Sequence, residues 1–488
     1  MLSVSEIKTF IDNDAASVKK QLARTGLRYY EADHDIKNYR IFFIDADGQL
    51  QEDKQKSNIK ISHPFFTELV DQEVQYMLSG KDGFVKSDNP ELQTELNAYF
   101  NDNEDFVSEL YEVISGCVAK GFEHMYAYKN EEGRTAFQCA DSMGVVEVEA
   151  KHAEDKKNHI IYWYVEQIDK DGKKIKRIQD WDDSQTFFYK QTDDGQIEKD
   201  DSVQITPRPH AIYKKDGDKA TYFESYGFIP FFRLDNCKKQ FSGLKPIKAL
   251  IDDYDLMSCG LSNNIQDTNE ALYVVKGFQG DNLDELMLNM KAKKHVGVDE
   301  DGGVDIKTID IPYQARQTKL DLDEKNIYRF GMGLNTAGLK DTAATTNIAI
   351  KAAYSLLELK ANKLLMRLKK MLKDIVKVVL AEINTVNKTD YQLSDVFFDF
   401  QTSTMTNEQE NIQNAKTEAE TEQIRINTIL NVAASVGDEQ TLKSICEVME
   451  WDFDDLQGKI KQMQEEQSLT AVRTALNNAA VDVPIAEE

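Results

Sequence analysis

The chain has 488 residues, of which 41% are hydrophobic and 9% aromatic, so it can bury the cores of roughly three domains and is not disordered as a whole. Its net charge of −26 and pI of about 4.8 exclude a protein that binds nucleic acid through an extended basic surface. Five scattered cysteines, none in a Cys-x-x-Cys pair, argue against a zinc site and for free thiols in a reducing compartment.

The N-terminal sequence lacks the basic and apolar regions of a signal peptide. No run of about 20 apolar residues is present, so no segment is expected to cross a membrane. We therefore expect a soluble protein that is made inside the cell and has no membrane partner.

The first 120 residues carry mainly helical patterns. Ser3 or Ser5 can cap a first helix, and His63-Pro64 can open another, because proline is tolerated in the first helical turn. The predicted elements are one or two helices in 1–35, a strand at 39–44 that ends at Asp47-Gly48, a helix from 64 that stops at Gly80, and a helix at 104–120.

From Gly121 to about Phe232 the apolar period changes from helical to two. Turn dipeptides such as Asp171-Gly172 separate the runs, and glycine accepts the positive φ that tight hairpin turns require. The pattern predicts an antiparallel meander, so residues 1–235 are expected to form one α+β domain. The candidate strands are 124–128, 135–140, 145–150, 160–167, 175–180, 186–190 and 221–225.

Two helices with a small insert between them are predicted next. The first spans 243–270, and the second runs from about 313 to 330. The insert, 271–312, combines strands at 271–278, 295–298 and 304–309 with a short helix at 283–291. Apolar residues expected on one side of the first helix are Ile247, Leu250, Ile251, Tyr254, Met257, Leu261 and Ile265.

One very long helix follows, from Thr346 to about Asn384. Its apolar residues recur at spacings of three and four and no proline interrupts it. At ~1.5 Å per residue it would be roughly 55–60 Å long, far beyond an average globular helix. The stripe consists of Leu357, Ala361, Leu364, Leu368, Met371, Ile375, Val379 and Ile383.

The long helix and the segment after it differ in charge. Residues 351–388 contain nine Lys or Arg and three Asp or Glu, whereas residues from 401 onward contain 17 acidic and six basic residues. The C-terminal part, 407–476, is predicted to be helical. The lysines of the long helix could bind nucleic acid, but they lie all round its polar faces, which favours neutralisation of acidic neighbours in this chain or in another copy.

The segment from Gly331 to Gly338 is the nearest match to a phosphate-binding loop. Its third glycine is too late for the dinucleotide fingerprint, a helix and not a strand precedes it, and the chain has no Walker A sequence. Its glycines, threonines and alanines instead predict a pliable, weakly adhesive connection between two helices.

No motif indicates catalysis or a metal site. Asp45–Gly48 and Asp299–Gly302 place glycine too early for an EF-hand, so both are interpreted as hairpin turns. The seven histidines are dispersed, and no Gly-x-Ser-x-Gly nucleophile elbow is present. We expect a protein that is not an enzyme and uses no cofactor or metal.

The order of these parts resembles the portal proteins of tailed bacteriophages, of the SPP1-type family found in phages of Gram-positive hosts. The resemblance covers about residues 5–400 and matches the acidic tail only loosely. It is carried by the segments ISHPFFTELVDQEVQYMLSG, FIPFFRLDN followed by GLKPIKALIDDYD, ALYVVKGF, GGVDIKTIDIP, EKNIYRFGMGLN and LELKANKLL.

The resemblance implies an α+β portal fold whose segments follow one another along the chain. These are a wing (1–242 with 348–406), two stem helices (243–270 and 313–332), a small α/β clip (271–312), a tunnel loop (333–347), a long helix that returns to the wing (348–406), and a helical crown with an acidic tail (407–488).

The resemblance also implies a function. In that family twelve copies form a ring at one capsid vertex, through which the terminase packages DNA and from which the DNA is later ejected. The implied partners are further copies of the chain, double-stranded DNA without sequence specificity, the terminase large subunit, a head-completion or adaptor protein, and the major capsid and scaffolding proteins. The implied location is the virion, after assembly in the host cytoplasm.

Three groups of residues are implied by position in that fold. The tunnel loop would contribute Asn335, Thr336, Lys340, Asp341, Thr342, Thr345 and Thr346. The stem would contact neighbouring subunits through Tyr254, Met257, Leu261, Ile265 and Ile327. The clip would meet terminase or adaptor through Asp281, Asn282, Asp284, Glu285, Lys293 and Lys294.

Physical reasoning is compatible with this resemblance. A net negative sleeve does not retain DNA, because it releases few counterions from the duplex. Lys340 is the only Lys or Arg between Arg329 and Lys351, so copies of it could centre the phosphates. Two other classes stay open, a non-portal adaptor or scaffold ring of a phage particle and a nucleotide-using enzyme.

Overall fold

The computed structural model describes most of residues 2–400 and parts of the C-terminal region. The described ranges are 2–267 without 55, 81–82, 131, 149–158, 168–173, 192–194, 204, 211–212, 217–218 and 223–224; then 272–276, 302–307, 312–335 and 347–400; and, beyond these, 416–417, 421, 423–432, 437–449, 453 and 458.

Two helices open the chain, α1 (Val4–Ala16) and α2 (Val18–Tyr30). Ser3 caps α1 in a capping box, since its side chain accepts from the backbone N–H of Glu6 while the Glu6 carboxylate accepts from the Ser3 N–H at 2.9 Å. The predicted cap at Ser3 is therefore confirmed, and both helices lie within the predicted range.

Three further helices build the N-terminal core, namely α3 (Phe65–Met77), α4 (Pro90–Leu96) and α5 (Glu104–Lys120). The predicted bounds of α5 match those observed, and the helix ends at Gly121, whose φ of 98° suits a glycine. The sequence analysis missed α4, which has only seven residues and too few apolar positions to show a period.

The strands of the same region form two main antiparallel sheets. In one sheet, the five strands between 145 and 199 follow one another as a meander. In the other, the strand at 231–235 pairs with the strand at 122–129, which in turn pairs with the strand at 135–140. The predicted single meander is thus correct only for the first sheet. The strands are β4 (Phe122–Lys129), β5 (Thr135–Ala140), β6 (Val145–Val148), β7 (His159–Gln167), β8 (Lys174–Trp181), β9 (Gln185–Gln191), β10 (Ile197–Lys199), β11 (Arg208–Pro209), which pairs with β9, and β14 (Phe231–Asp235).

Short two-stranded ladders occur elsewhere in the described residues. β1 (Phe42–Ile44) pairs with β2 (Leu50–Glu52), β12 (Tyr213–Asp216) with β13 (Lys219–Tyr222), and β15 (Leu272–Lys276) with β16 (Gly303–Lys307). The last ladder, β3 (Val85–Lys86) with β17 (Phe397–Phe398), joins the chain after the long helix to the N-terminal core.

Further helices of the described residues are α6 (Lys248–Asp267), α7 (Tyr313–Gly331), α8 (Asn347–Asn387) and α9 (Asp438–Met449), and residues 423–432 are helical as well. The long helix, α8, has 41 residues, a little more than predicted. All eight residues of its predicted stripe are buried in the main hydrophobic core, together with apolar residues of α3 and α5. The stripe is therefore covered by the helix's own chain.

The chain forms two compact units. One comprises residues 1–343 and 351–404, and the other residues 344–350 and 405–488, which include α9. Within the described ranges, no helix is both long enough and apolar enough to cross a bilayer.

Candidate stem and channel site

An extended segment, residues 57–63, lies along α6 and is called the strap below. Alternate backbone N–H groups of the strap donate to α6 side chains spaced by four residues. Two residues of extended chain advance about 6.6 Å and four helical residues about 6 Å, so the repeats stay in step. The pairs are His63 with Asp255 Oδ1 at 3.0 Å, Ile61 with Cys259 Sγ at 3.2 Å, Ile59 with Asn263 Oδ1 at 2.7 Å, and Ser57 with Asp267 Oδ1 at 3.1 Å.

Asp255 is the centre of this contact and is completely buried. Its Oδ2 lies 2.6 Å from Nδ1 of His34, and its Oδ1 lies 2.7 Å from Nδ1 of His63. Burial alone would raise the pKa of the Asp255 carboxyl, but the hydrogen bonds from His34 and His63 outweigh burial and hold that pKa below its usual value. The carboxylate thus joins α6 to both ends of the segment between α2 and α3.

A second polar cluster joins the start of α6 to the end of α2. Lys248 donates to Asp35 at 2.6 Å and to Asp252 at 2.7 Å, and the Tyr29 hydroxyl also donates to Asp252. Burial would lower the pKa of Lys248, but hydrogen bonds to Asp252 and Asp35 raise it overall. The ammonium group therefore stays charged, and it ties α6 to the segment that follows α2.

The helix α7, which is predicted to be the second stem helix, packs on a different face of α6. Lys319 of α7 forms ion pairs with Asp253 of α6 and Asp323 of its own helix. Successive helical residues are rotated by about 100°, so Asp253 and Asp255 lie on nearly opposite sides of α6. The strap and α7 thus cover separate faces, and α6 lies between them.

The stem residues predicted to contact neighbouring subunits differ in burial. Tyr254 is half-buried against Phe65, with ring centroids 4.8 Å apart, whereas Ile265 is 52% exposed. Met257 and Leu261 are half-buried. Ile327 is completely buried in the main core of its own chain. The prediction for Ile327 is therefore wrong, because a side chain without exposed surface cannot also contact a neighbouring subunit.

The end of α7 and the start of the predicted tunnel loop are packed against α3. A Cβ on Gly331 would lie 2.6 Å from Leu69 Cδ1, and one on Gly333 would lie 2.1 Å from Leu69 Cδ2. Leu69 is itself completely buried. These glycines therefore permit close packing, which corrects the prediction that they make this part of the segment pliable.

Gln72 of α3 fixes the next residue. Its Oε1 accepts from the Leu334 N–H at 2.9 Å and its Nε2 donates to the Leu334 carbonyl at 3.0 Å. Asn335 follows and donates to Glu324 of α7 at 3.2 Å. Among the predicted tunnel-loop residues, Asn335 lies within the described ranges. It stands where the loop begins and is held there by hydrogen bonds to α7 and, through Leu334, to α3.

The other predicted loop and clip residues lie outside the described ranges. These are Thr336, Lys340, Asp341, Thr342, Thr345 and Thr346 of the loop, and Asp281, Asn282, Asp284, Glu285, Lys293 and Lys294 of the clip. Their assignments remain predictions.

The cations of α8 differ in their surroundings. Lys360 is paired with the fully buried Glu73 of α3 at 2.9 Å, which is the neutralisation expected within the chain. Within the described residues, no ion pair is formed by the exposed side chains of Lys363, Arg367, Lys370 and Lys373. A surface of four cations is thus left on an acidic protein.

The described residues contain no group of three or more His, Cys, Asp or Glu side chains that could hold a metal ion. Asp45, one of the residues weighed as a calcium ligand, accepts the backbone N–H groups of Asp47 at 3.1 Å and Gln49 at 2.8 Å. It stabilises the turn between β1 and β2, as the sequence analysis predicted for this motif. Asp299–Gly302 is described only at Gly302.

Sequence reasoning missed Asp255, His34, His63 and Gln72 as organising residues. A signal for Asp255 was available, since side chains that can accept a hydrogen bond recur every four positions along α6, at 255, 259, 263 and 267. That row does not form an apolar face, so the apolar period of the helix does not reveal it. Nothing in the sequence pointed to Gln72, whose partner is a backbone group more than 260 residues away.

Comparison with known proteins decides the family. Residues 10–470 match the family described as phage portal protein, SPP1 Gp6-like. The chain belongs to this portal family. The resemblance predicted from the sequence is confirmed, and the match also takes in most of the acidic tail, which the predicted resemblance covered only loosely.

Two curated portal proteins are similar to this chain. The portal protein of Bacillus phage SPP1 is 28% identical over 342 residues, which cover 69% of this chain and 65% of that protein. The portal protein of Clostridium phage phiCD119 is 23% identical over 409 residues, which cover 80% of this chain and 84% of that protein. The alignment with the SPP1 protein thus spans less than two thirds of its length.

Two solved structures are also similar. The neck of an empty GTA particle, computed with C6 symmetry, gives a TM-score of 0.37 at 14% identity and covers 64% of this chain and 76% of that one. The neck of the native GTA particle, computed with C12 symmetry, gives 0.37 at 11% identity and covers 78% and 89%.

Proposed function

We propose that this chain is the portal, or head-tail connector, of a phage particle. Copies of it form a ring of twelve at one capsid vertex, DNA is packaged through the ring by a terminase, and the same opening later releases the DNA. The observation that carries this proposal is the family match over residues 10–470, which includes both stem helices and the long helix.

Three features of the chain support a ring that passes DNA without retaining it. The net charge of −26 disfavours the counterion release that drives binding to a duplex. The entrance of the loop after α7 is fixed to α3 by Gln72 and Leu69, so the loop starts from a rigid base. Residues 336–346 then carry a single cation, Lys340, with which to centre the phosphates.

The other proposed partners follow from the portal role. The clip, 271–312, docks the terminase large subunit during packaging and afterwards a head-completion or adaptor protein. The wing meets the major capsid and scaffolding proteins while the ring seeds the capsid. Assembly takes place in the host cytoplasm, and the finished ring is part of the virion.

Negative-stain electron microscopy of the purified protein is the direct test. Rings with a central opening and a narrow stem are expected, and class averages give the subunit number. A compact monomer under every assembly condition would refute the proposal. Rings without a stem below the wing would instead favour a non-portal adaptor or scaffold ring.

The portal role assigns hydrolysis of nucleotide to the terminase. The purified ring, incubated with ATP and double-stranded DNA, is therefore expected to release no phosphate above a buffer control. Phosphate release that grows in proportion to ring concentration would favour the nucleotide-using enzyme.

A further inference from the structure

The hairpin formed by β1 and β2 carries an apolar face in solvent. Residues directly opposite in an antiparallel pair share a face, and here Phe42 lies opposite Glu52 and Ile44 opposite Leu50. Phe42, Ile44 and Leu50 are 53%, 72% and 67% exposed. Three large apolar side chains are thus gathered on one side of a short ladder.

This hairpin is well formed at its turn and yet has little else to stabilise it. Asp45 closes the turn, the Gly48 N–H donates to the Asp45 carbonyl at 3.0 Å, and Gly48 adopts a φ of 75°. All six strand residues are exposed. An isolated two-stranded hairpin is marginally stable in water, so an apolar face of this kind indicates a surface that is covered in the assembled protein.

The position of the hairpin limits what can cover it. Its second strand leads into the strap, which lies on one face of α6, while α7 lies on another. In a ring, each interface joins two different surfaces of the same chain. The hairpin, which precedes the strap in the chain, and the outward face of α7 are two such surfaces of this chain.

The outward surface of α7 complements the hairpin. Leu322 is 53% exposed there, and Lys325 and Arg329, three and seven residues later, are exposed on the same side of the helix. The turn of the hairpin carries the carboxylates of Asp45 and Asp47. Each surface thus exposes apolar side chains. The charges near them are negative on the hairpin and positive on α7.

We propose that the β1–β2 hairpin is an intersubunit arm that packs on α7 of the neighbouring copy around Leu322. This inference rests on the proposed ring and names a contact within it. Only residues 53–56 separate the hairpin from the strap, which is hydrogen-bonded to Asp255 of α6.

A photo-crosslinker placed at the hairpin tests the arm. Benzoylphenylalanine replaces Ile44, rings are purified and irradiated, and the adducts are mapped by mass spectrometry. The proposal predicts covalent dimers linked to residues 313–331. The control places the probe at Gln51, which lies opposite Phe43 on the other face, and should give at least about fivefold less of this adduct.

Adducts confined to the probe's own chain, or to another region of the neighbour or to another protein, would overturn the inference and leave the ring intact. If the wild-type chain forms no ring, the proposed function and this inference both fail, so the two failures can be told apart by the images.

Substitution gives a second measurement. The pair Phe42→Ser with Ile44→Ser should reduce the yield of rings about tenfold or more at fixed protein concentration, while the far-ultraviolet circular dichroism of the chain stays unchanged. Gln49→Ser, at an exposed polar position of the same hairpin, should leave the yield unchanged. Wild-type yield from the double variant would overturn the proposal.

Discussion

Asp255 shows how one residue organises a region that its neighbours in sequence do not reveal. Its carboxylate is buried, yet both oxygens are occupied by groups from a distant segment, His34 on one side and His63 on the other. A buried carboxylate is stable only when such partners are supplied. From the sequence alone, Asp255 would be interpreted as an exposed acidic residue on a helix of an acidic protein.

Asp255→Asn is expected to lower the free energy of unfolding by about 2–4 kcal/mol near pH 6, because a buried charge-assisted pair is broken. The depressed pKa of Asp255 gives the pH dependence. The wild-type advantage is fully present above the unfolded-state pKa of ~3.9 and decreases as the pH falls through the lower folded value. Urea unfolding of wild type and Asp255→Asn at pH 6 and at pH 3 measures this difference in stability.

The matched control for that experiment is Asp47→Asn, at an exposed position in the β1–β2 turn. It should change stability by less than about 0.5 kcal/mol at either pH. If the difference in free energy of unfolding between Asp255→Asn and wild type stays constant from pH 6 to pH 3, the carboxylate charge is not the cause of the destabilisation.

Gly333 permits the close approach of the loop entrance to Leu69. Gly333→Ala should destabilise the fold by about 1–3 kcal/mol through overpacking. Leu69→Ala removes the obstructing methyl groups, so the double variant should be at least about 1 kcal/mol more stable than the sum of the two single effects predicts. Thermal unfolding of the four proteins measures this coupling, and strict additivity would mean that the alanine finds room elsewhere.

The apolar stripe of the long helix, α8, correctly predicted which of its residues are buried, but it did not predict which elements cover them. Its stripe predicted a continuous buried face, and Leu357 to Ile383 are indeed buried along it. What the stripe packs against, α3 and α5 of the same chain, was not visible in the sequence. The α6 contact with the strap was missed altogether, because it depends on polar side chains and backbone groups.

Leu368→Ala should lower the free energy of unfolding by about 2–5 kcal/mol, because Leu368 is completely buried in the core and the truncation leaves a cavity. Met366→Ala is the control, since Met366 is 68% exposed on the same helix and should shift stability by less than about 0.5 kcal/mol. Equilibrium urea unfolding compares the two. Equal effects would mean that the buried face of α8 has been assigned wrongly.

According to the proposed function, the stem helices contact neighbouring copies in the assembled ring. Leu261 is half-buried on α6 and is one of the residues predicted to contact a neighbouring copy, so a carboxylate there would disrupt the predicted contact. Leu261→Asp is expected to reduce ring yield about tenfold or more, while Gln266→Asp, which adds the same charge at an exposed polar position of α6, leaves it unchanged. Particle counts in electron micrographs measure the yield, and full rings from Leu261→Asp would show that this face lies elsewhere.

The proposed role of Lys340 is a property of the whole ring, because it requires many copies of this side chain around one duplex. Lys340→Ala should change the packaging rate or the retention of DNA by a factor on the order of 2–10, since each subunit loses one weak phosphate contact. Ring formation should be unaffected. An in vitro packaging assay with the cognate terminase measures the rate, and loss of rings in this variant would contradict its assignment to the channel.

The sequence by itself determined the helices with long apolar stripes, the hairpin turns and the order of segments that identifies the portal family. These features are local, so the residues that cause them lie within a few positions of one another. Only the tertiary structure decided that Ile327 belongs to the core, that Gly331 and Gly333 serve close packing, and that Asp255 joins α6 to the strap. Each of these depends on atoms that lie far apart in sequence, and no local period records which distant group comes to lie beside a given side chain.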